Sequence, residues 1–204
     1  MIHIPRTIRL STSALVVIDM QEEYFADDVL RQQRTRLVAA CNTLIDAFHG
    51  AGRPVLFIRT AHTETSDTWT LNMRDDKQGV LFDGTSGVEL LHELHRDTSD
   101  RVVTKMRDSA FHATIMEQTL RELHIDTLIL AGVSTQNCVG QTAAGAYARN
   151  LRVVLAEDAI GTHDITYHES TLAMLAKEYR QVRAQVADIV DWITASGSAS
   201  GTTR

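Results

Sequence analysis

The feature that most constrains this chain is the alternation of short apolar segments with longer segments of helical period. The apolar segments, rich in β-branched residues, occupy 14–18, 54–58, 102–104, 127–131 and 151–155. The helical segments occupy 34–49, 87–94, 113–123, 138–149 and 166–180, and a weaker strand candidate follows at 185–189. Segments that are apolar on both faces are typical of buried parallel strands. The alternation predicts an α/β fold, a single doubly wound domain whose mostly parallel sheet has about six strands and helices on both faces.

The length of the chain fits one such domain. Its 204 residues are 44% hydrophobic, and domains commonly span roughly 100–200 residues. We assign residues 1–194 to the domain. The segment 195–204, which ends in SGSASGTTR, has no apolar anchor, so we expect a disordered C-terminal tail.

Charge and hydropathy limit the kinds of partner that this chain is expected to bind. The formal net charge is −6 and Lys and Arg are not clustered, which argues against nucleic acid. No apolar run approaches the roughly 18 residues that span a bilayer, and no export signal begins the chain. The two cysteines are too few for a disulfide framework. We therefore expect a cytoplasmic protein that acts on a small molecule. We expect it to bind neither nucleic acid nor membranes and to use no cofactor.

Three reactive residues follow predicted strands. Asp19 ends the first strand, Lys105 ends the third, and Cys138 follows the fourth at the start of a helix. In an open α/β sheet the active site lies beyond the carboxyl ends of the strands. We therefore expect acid, amine and thiol to converge at one edge of the sheet.

This combination suits acyl transfer by a thiol nucleophile. A helix N-terminus favours the thiolate, so the pKa of Cys138 is expected to be lowered. Asp19 can accept the thiol proton and return it to a leaving amine, while Lys105 holds the carboxylate. Backbone N–H groups between Gly132 and Cys138 can form an oxyanion hole. Taken singly, the three residues have other interpretations: a turn or capping aspartate, a surface lysine and a buried core thiol.

Five stretches then indicate a family. In chain order they are VVIDMQEEYF, DGTSGVEL, KMRDSAFHAT, LILAGVSTQNCV and TAAGAYARNLRVVLAEDAIGTH. Over residues 14–163 the chain resembles the isochorismatase-like cysteine hydrolases, which include nicotinamidases, N-carbamoylsarcosine amidohydrolase, and ureidoacrylate and biuret hydrolases. The resemblance implies an Asp19, Lys105 and Cys138 catalytic triad and a cis peptide between Val133 and Ser134. It also implies an oxyanion hole formed by the N–H groups of Ser134 and Cys138, and a homo-oligomer, either dimer or tetramer.

Departures from the family pattern narrow the chemistry. Nicotinamidases carry a metal-binding D-x-H after the second strand, where this chain reads RTAHTETSDTW, with His62 and Glu64 at the matching places. Two ligands without a third predict no metal site. Because isochorismatases proper lack the nucleophilic Cys, the resemblance implies a hydrolase that cleaves the C–N bond of a small amide, carbamoyl or ureido substrate through a thioacyl enzyme. STQNCV is more similar to the carbamoyl and ureido branch. A nicotinamidase with an unusual metal site and a catalytically idle binding member remain alternatives.

Substrate contacts are expected from the long loop 60–83 and from the elbow before the nucleophile. The candidates are Phe25, Trp69, Asn72, Gln136 and Asn137. Each has a structural alternative: Trp69 can pin the loop, and the amides of Gln136 and Asn137 can satisfy nearby backbone groups. Arg107 is either a partner for a substrate carboxylate or a structural arginine.

Overall fold

The computed structural model describes residues 4–199 and confirms the α/β fold. In the described chain one parallel sheet has the order β3-β2-β1-β4-β5-β6. Its strands are β1 (Ser13–Ile18), β2 (Val55–Thr60), β3 (Arg101–Lys105), β4 (Thr127–Gly132), β5 (Arg152–Ile160) and β6 (Val182–Ala184). The helices are α1 (Asp28–Gly50), α2 (Leu71–Asp75), α3 (Met116–Glu122), α4 (Gly140–Tyr147), α5 (Ile165–Tyr179) and α6 (Val186–Ala199).

The sheet separates two hydrophobic cores, as the two-sided apolar strands predict. In β1 every residue is buried; Leu15 and Val17 face the core that contains α1 and α6, whereas Val16 and Ile18 face the core that contains α3, α4 and α5. Successive side chains of a strand point to opposite faces, so a central strand needs apolar residues at every position. Helices accordingly cover both faces of the sheet.

Helix α1 shows how local sequence sets the boundaries. The Asp27 carboxylate caps it by accepting hydrogen bonds from the N–H groups of Val29 (2.9 Å) and Leu30 (3.0 Å), which satisfies donors that the first turn leaves free. Leu37 and Leu44 are both buried and, because they are seven residues apart, lie on the same face of the helix. They pack this face against the sheet. No helix within residues 4–199 is both long and apolar enough to cross a bilayer.

The predicted helix over 87–94 is wrong. A single 3-10 turn, Ser86–Val88, is followed by chain that pairs with the segment after β1. The N–H of Leu91 donates to the carbonyl of Met20 at 2.8 Å, and Leu91 and Leu94 are both buried in the core that contains α1. The apolar spacing is that of a helix, but these backbone groups find partners in another segment.

The C-terminal predictions also need correction. The sixth strand is Val182–Ala184, not 185–189, because the Asp158 carboxylate accepts from the N–H of Val186 at 2.8 Å and α6 begins there. Helix α6 continues to Ala199, so residues 195–199 of the predicted disordered tail are helical. Residues 200–204 of that prediction lie outside the described part of the chain.

Candidate active site

The carboxyl edge of the sheet brings the three reactive residues together. Asp19 follows β1, Lys105 is the last residue of β3, and Cys138 lies beyond β4. The Lys105 Nζ is 2.8 Å from Asp19 Oδ2 and 3.3 Å from Cys138 Sγ. The side chains of Asp19 and Lys105 are 0% and 1% exposed, so water screens this ion pair weakly. Cys138 keeps 5% exposure.

The electrostatics of the triad differ from the sequence prediction at the thiol. Burial, and next the negative charge of Asp19, raise the pKa of Cys138 well above its ordinary value despite the opposing charge of Lys105. The predicted lowering of this pKa is therefore wrong for the free protein. Burial lowers the pKa of Lys105, but the negative charge of Asp19 and the hydrogen bonds to Asp19 and Cys138 outweigh it, so the net pKa is raised. At neutral pH the ammonium is charged and the thiol keeps its proton.

Thr60 joins the acid and the amine, and the sequence analysis missed it. Because β2 lies between β1 and β3, the last residue of β2 falls between Asp19 and Lys105. Lys105 Nζ donates to Thr60 Oγ1 at 2.6 Å, and Thr60 Oγ1 donates to Asp19 Oδ1 at 3.0 Å. The buried Gln21 fixes Thr60: its amide donates to the Thr60 carbonyl at 2.8 Å and its Oε1 accepts from the Thr60 N–H at 2.7 Å. Knowledge of the strand order would have identified Thr60.

The turn into the nucleophile depends on Gly132. Its φ is +110°, and a Cβ there would lie 2.0 Å from the carbonyl oxygen of Ile18. Only glycine lets β4 approach β1 so closely at this point. The peptide bond between Val133 and Ser134 is cis. Cys138 then lies in a π-helical turn, Thr135–Val139, that leads into α4.

Backbone groups around Ser134 are mostly engaged. The N–H of Thr135 donates to the carbonyl of Gly161 at 2.9 Å, and those of Asn137 and Val139 donate to the carbonyl of Ser134 at 3.2 and 3.1 Å. Within residues 4–199 the N–H of Ser134 itself donates to no backbone carbonyl. This donor lies at the entrance to the turn that carries the nucleophile.

The elbow amides have local partners. Gln136 Oε1 accepts from Thr162 Oγ1 at 2.8 Å, and its Nε2 lies 3.2 Å from Nε2 of His163. His163 Nδ1 lies 3.1 Å from Ser134 Oγ. Gln136 thus orders the elbow through His163, while Asn137 is exposed.

The remaining predicted substrate residues have local surroundings of their own. Phe25 is 3% exposed in the core that contains α1, with the Arg34 guanidinium 5.7 Å from its ring centroid. Asn72 is exposed on α2. Trp69 Nε1 donates to the Thr63 carbonyl at 3.0 Å, so Trp69 pins the loop that it belongs to.

Two further residues near the thiol were missed. The half-buried Tyr24 has a raised pKa, first because it is buried and next because Asp19 and Cys138 are close to it. The Asp108 carboxylate lies 4.0 Å from Cys138 Sγ. Neither residue has a sequence signal of its own, because their positions depend on how separate loops fold over the strand ends.

The donor set around His62 does not fit a metal ion. His62 is buried, with Nδ1 3.3 Å from Thr68 Oγ1, and Glu64 is exposed. Within the described residues, His62 belongs to no group of three His, Cys, Asp or Glu whose ligand atoms lie within 4.8 Å of one another. Burial lowers the pKa of His62, which keeps the imidazole neutral.

One group with such spacing lies at the surface, formed by Glu22, His92 and Glu93. Arg34 already bridges its two carboxylates, with guanidinium nitrogens 2.8 Å from Glu22 and 2.9 Å from Glu93. The group is therefore a surface ion-pair network.

Comparison with known proteins identifies the family. The family model for the isochorismatase domain matches residues 13–191. The chain belongs to the isochorismatase family. This family membership confirms the resemblance drawn from the five stretches.

Relatives within the isochorismatase family carry different activities. The chain is 32% identical over 168 residues to nicotinamidase 3 of Arabidopsis thaliana, covering 80% of each chain. It is 31% identical over 186 residues to ureidoacrylate amidohydrolase RutB of Variovorax paradoxus (strain S110), covering 79% of this chain and 72% of RutB. A cysteine hydrolase structure from Pseudomonas syringae pv. phaseolicola 1448A has the same fold, with a TM-score of 0.84 at 22% identity over 96% of this chain and 97% of that one.

Proposed function

We propose that this protein is a cysteine-dependent hydrolase that cleaves the C–N bond of a small amide, carbamoyl or ureido substrate through a thioacyl enzyme. The observation that carries the proposal is the position of Lys105 Nζ, 2.8 Å from the Asp19 carboxylate and 3.3 Å from the Cys138 sulfur. A buried acid, amine and thiol in mutual contact supply a base, a positive charge and a nucleophile. The amide-cleaving activities named for the two relatives support this choice.

In the first step Asp19 takes the thiol proton as the sulfur attacks the carbonyl carbon. Because the pKa of Cys138 is raised, proton transfer accompanies attack and no preformed thiolate is required. The N–H groups of Ser134 and Cys138 hold the oxyanion of the tetrahedral intermediate. Asp19 then passes the proton to the departing nitrogen, the C–N bond breaks, and the acyl group remains on sulfur.

In the second step water hydrolyses the thioester. Asp19 accepts a proton from the water, whose oxygen attacks the acyl carbon, and the C–S bond breaks. The proton returns to the sulfur, so that acid, thiol and amine regain their starting states. Lys105 stays charged throughout and offsets the negative charge that each attack brings to the site. The proposed steps use no metal; within residues 4–199 His62 belongs to no group of three potential ligands.

The decisive experiment is ammonia release by metal-stripped protein from nicotinamide, simple amides, carbamoyl amino acids and ureides. We expect Cys138→Ser to abolish release and Cys41→Ser, at the other thiol, to retain it. Lys105→Met should also be severely impaired, because it leaves the Asp19 carboxylate buried without its counter-charge.

Two other outcomes would replace the proposal. The 32% identity to nicotinamidase 3 favours, as a second candidate, a nicotinamidase with an unusual metal site; loss of nicotinamide hydrolysis with EDTA and recovery with zinc would establish it. Absence of ammonia from every substrate would indicate a catalytically idle binding member.

We propose further that the chain forms a homo-oligomer, a dimer or tetramer. Large apolar side chains, among them Leu71 (75% exposed) and Ile165 (72% exposed), are open to solvent, and such surfaces are commonly covered by association. Light scattering at micromolar concentration tests this, and a strictly monomeric mass would contradict it. The cytoplasmic location expected from the sequence stays a prediction.

A further inference from the structure

A second carboxylate stands at the nucleophile, on the side that solvent reaches. Asp108 Oδ1 is 4.0 Å from Cys138 Sγ, and Asp108 is exposed whereas Asp19 is fully buried. In the described part of the chain, Asp108 forms no ion pair and its side chain has the thiol as its only hydrogen-bond partner. A molecule that approaches the sulfur from solvent therefore meets this charge.

The segment that carries Asp108 is fixed on both sides. Before it, Arg107 donates to the carbonyl of Thr68 at 2.7 Å. After it, the N–H of Ala110 donates to Thr142 Oγ1 on α4 at 3.0 Å. The contacts of neighbouring residues thus hold Asp108 near the sulfur, and its own carboxylate is not needed for this. A recognition group that is positioned before its ligand arrives has this arrangement.

Other charges at the sulfur do not cancel that of Asp108. Asp19 and Lys105 form a buried pair and neutralise each other. The Arg107 guanidinium is directed at backbone carbonyls of the neighbouring loop, so it acts as the structural arginine of the two alternatives considered from the sequence. Arg107 keeps its positive charge but forms no ion pair with Asp108 within residues 4–199, so Asp108 presents an unpaired carboxylate at the mouth of the site.

We propose that Asp108 is a specificity-determining residue that selects neutral or cationic amides and disfavours substrates with a carboxylate near the scissile carbonyl. This inference rests on the proposed function and narrows its substrate class. Carbamoyl amino acids and ureidoacrylate carry such a carboxylate, whereas nicotinamide and simple amides do not. The charge at Asp108 therefore points away from the carbamoyl and ureido branch, which STQNCV is more similar to.

The test compares two alkylating reagents of nearly the same shape at one sulfur. Iodoacetamide is neutral and iodoacetate is anionic, and peptide mapping gives the labelling rate of Cys138 with each. The measured quantity is the ratio of the neutral to the anionic rate. Two unit charges about 6 Å apart at a protein–water boundary change such a ratio by about tenfold. We expect the ratio to fall about tenfold in Asp108→Asn, and the difference to shrink in high salt.

Two control variants isolate the charge at the sulfur. Asp75→Asn removes the same charge from an exposed position on α2 and should leave the ratio unchanged. Asp108→Glu keeps the charge and should keep most of the wild-type ratio. Any change in the pKa of Cys138 alters both reagent rates equally and cancels in the ratio.

The remaining outcomes overturn the inference. Equal acceleration of both reagents in Asp108→Asn would mean that Asp108 acts on the thiol and not on the approaching molecule. An unchanged ratio, or an equal fall in Asp75→Asn, would remove the role of Asp108. Labelling needs no turnover, so the two proposals can fail separately. If the ratio falls in Asp108→Asn but no amide is hydrolysed, the proposed function alone is contradicted. If an amide is hydrolysed but the ratio does not change, this inference alone is contradicted.

Discussion

Replacing Thr60 with valine tests whether the buried ion pair depends on the hydroxyl between its partners. Valine has nearly the shape of threonine but offers neither donor nor acceptor. In the wild type this hydroxyl accepts from Lys105 Nζ at 2.6 Å and donates to Asp19 Oδ1 at 3.0 Å. Thr60→Val therefore leaves one ammonium proton and one carboxylate oxygen without these partners, in a region where both side chains are at most 1% exposed.

The size of the effect follows from those two contacts. A hydrogen bond to a charged group contributes about 1.5–3 kcal/mol, and leaving a buried polar group unpaired costs a similar amount. Because the two bonds share one hydroxyl, their losses are not additive. We expect Thr60→Val to lower the free energy of unfolding by about 2–4 kcal/mol. Turnover should fall as well, since the carboxylate is no longer held toward the thiol.

Thr60→Ser supplies the matched control, because it keeps the hydroxyl and loses only a methyl group. Urea denaturation of wild type, Thr60→Val and Thr60→Ser gives the free energies without requiring a substrate. We expect the serine variant to lie within about 1.5 kcal/mol of the wild type. If valine is no more destabilising than serine, the hydroxyl does not support the ion pair and the reasoning is refuted.

Three further predictions follow from the site. Iodoacetamide should label Cys138 before Cys41, which is fully buried with its pKa raised to about 12. Because the pKa of Cys138 is raised too, its labelling rate should keep rising with pH beyond the ordinary thiol range. A plateau of that rate below pH 8 would contradict this prediction. Asp19→Asn should lower turnover by about 10² or more while the fold persists, with EDTA without effect; substantial residual turnover, measured by ammonia release, would remove Asp19 as the base. Gly132→Ala should destabilise the protein by at least about 3 kcal/mol, whereas Gly50→Ala, whose added carbon meets nothing within 4 Å, should be nearly neutral in urea denaturation.

The sequence by itself determined which residues meet at the sheet edge. Apolar residues at every position mark a strand buried on both faces, and this pattern located β1, β2 and β4 to within two residues at each end. The edge strand β3, which has three of its five residues exposed, was also located, whereas β5 ends five residues beyond its predicted end. Since parallel strands present their carboxyl ends at one edge, the sequence pattern alone predicts that Asp19, Lys105 and Cys138 lie together.

Only the tertiary structure decided which partners the backbone and the charges find. Residues 87–94 have helical spacing, yet the N–H of Leu91 and the C=O of Glu89 pair with the chain after β1, a choice between distant segments that local periodicity does not encode. Thr60 acquires its role because β2 lies between β1 and β3. The pKa of Cys138 is raised because burial and Asp19 outweigh Lys105, and Asp108 reaches the sulfur through the folding of a loop. Hydrophobic period is a local property of sequence, whereas burial, strand order and the distances between charges arise from contacts between residues far apart in the chain.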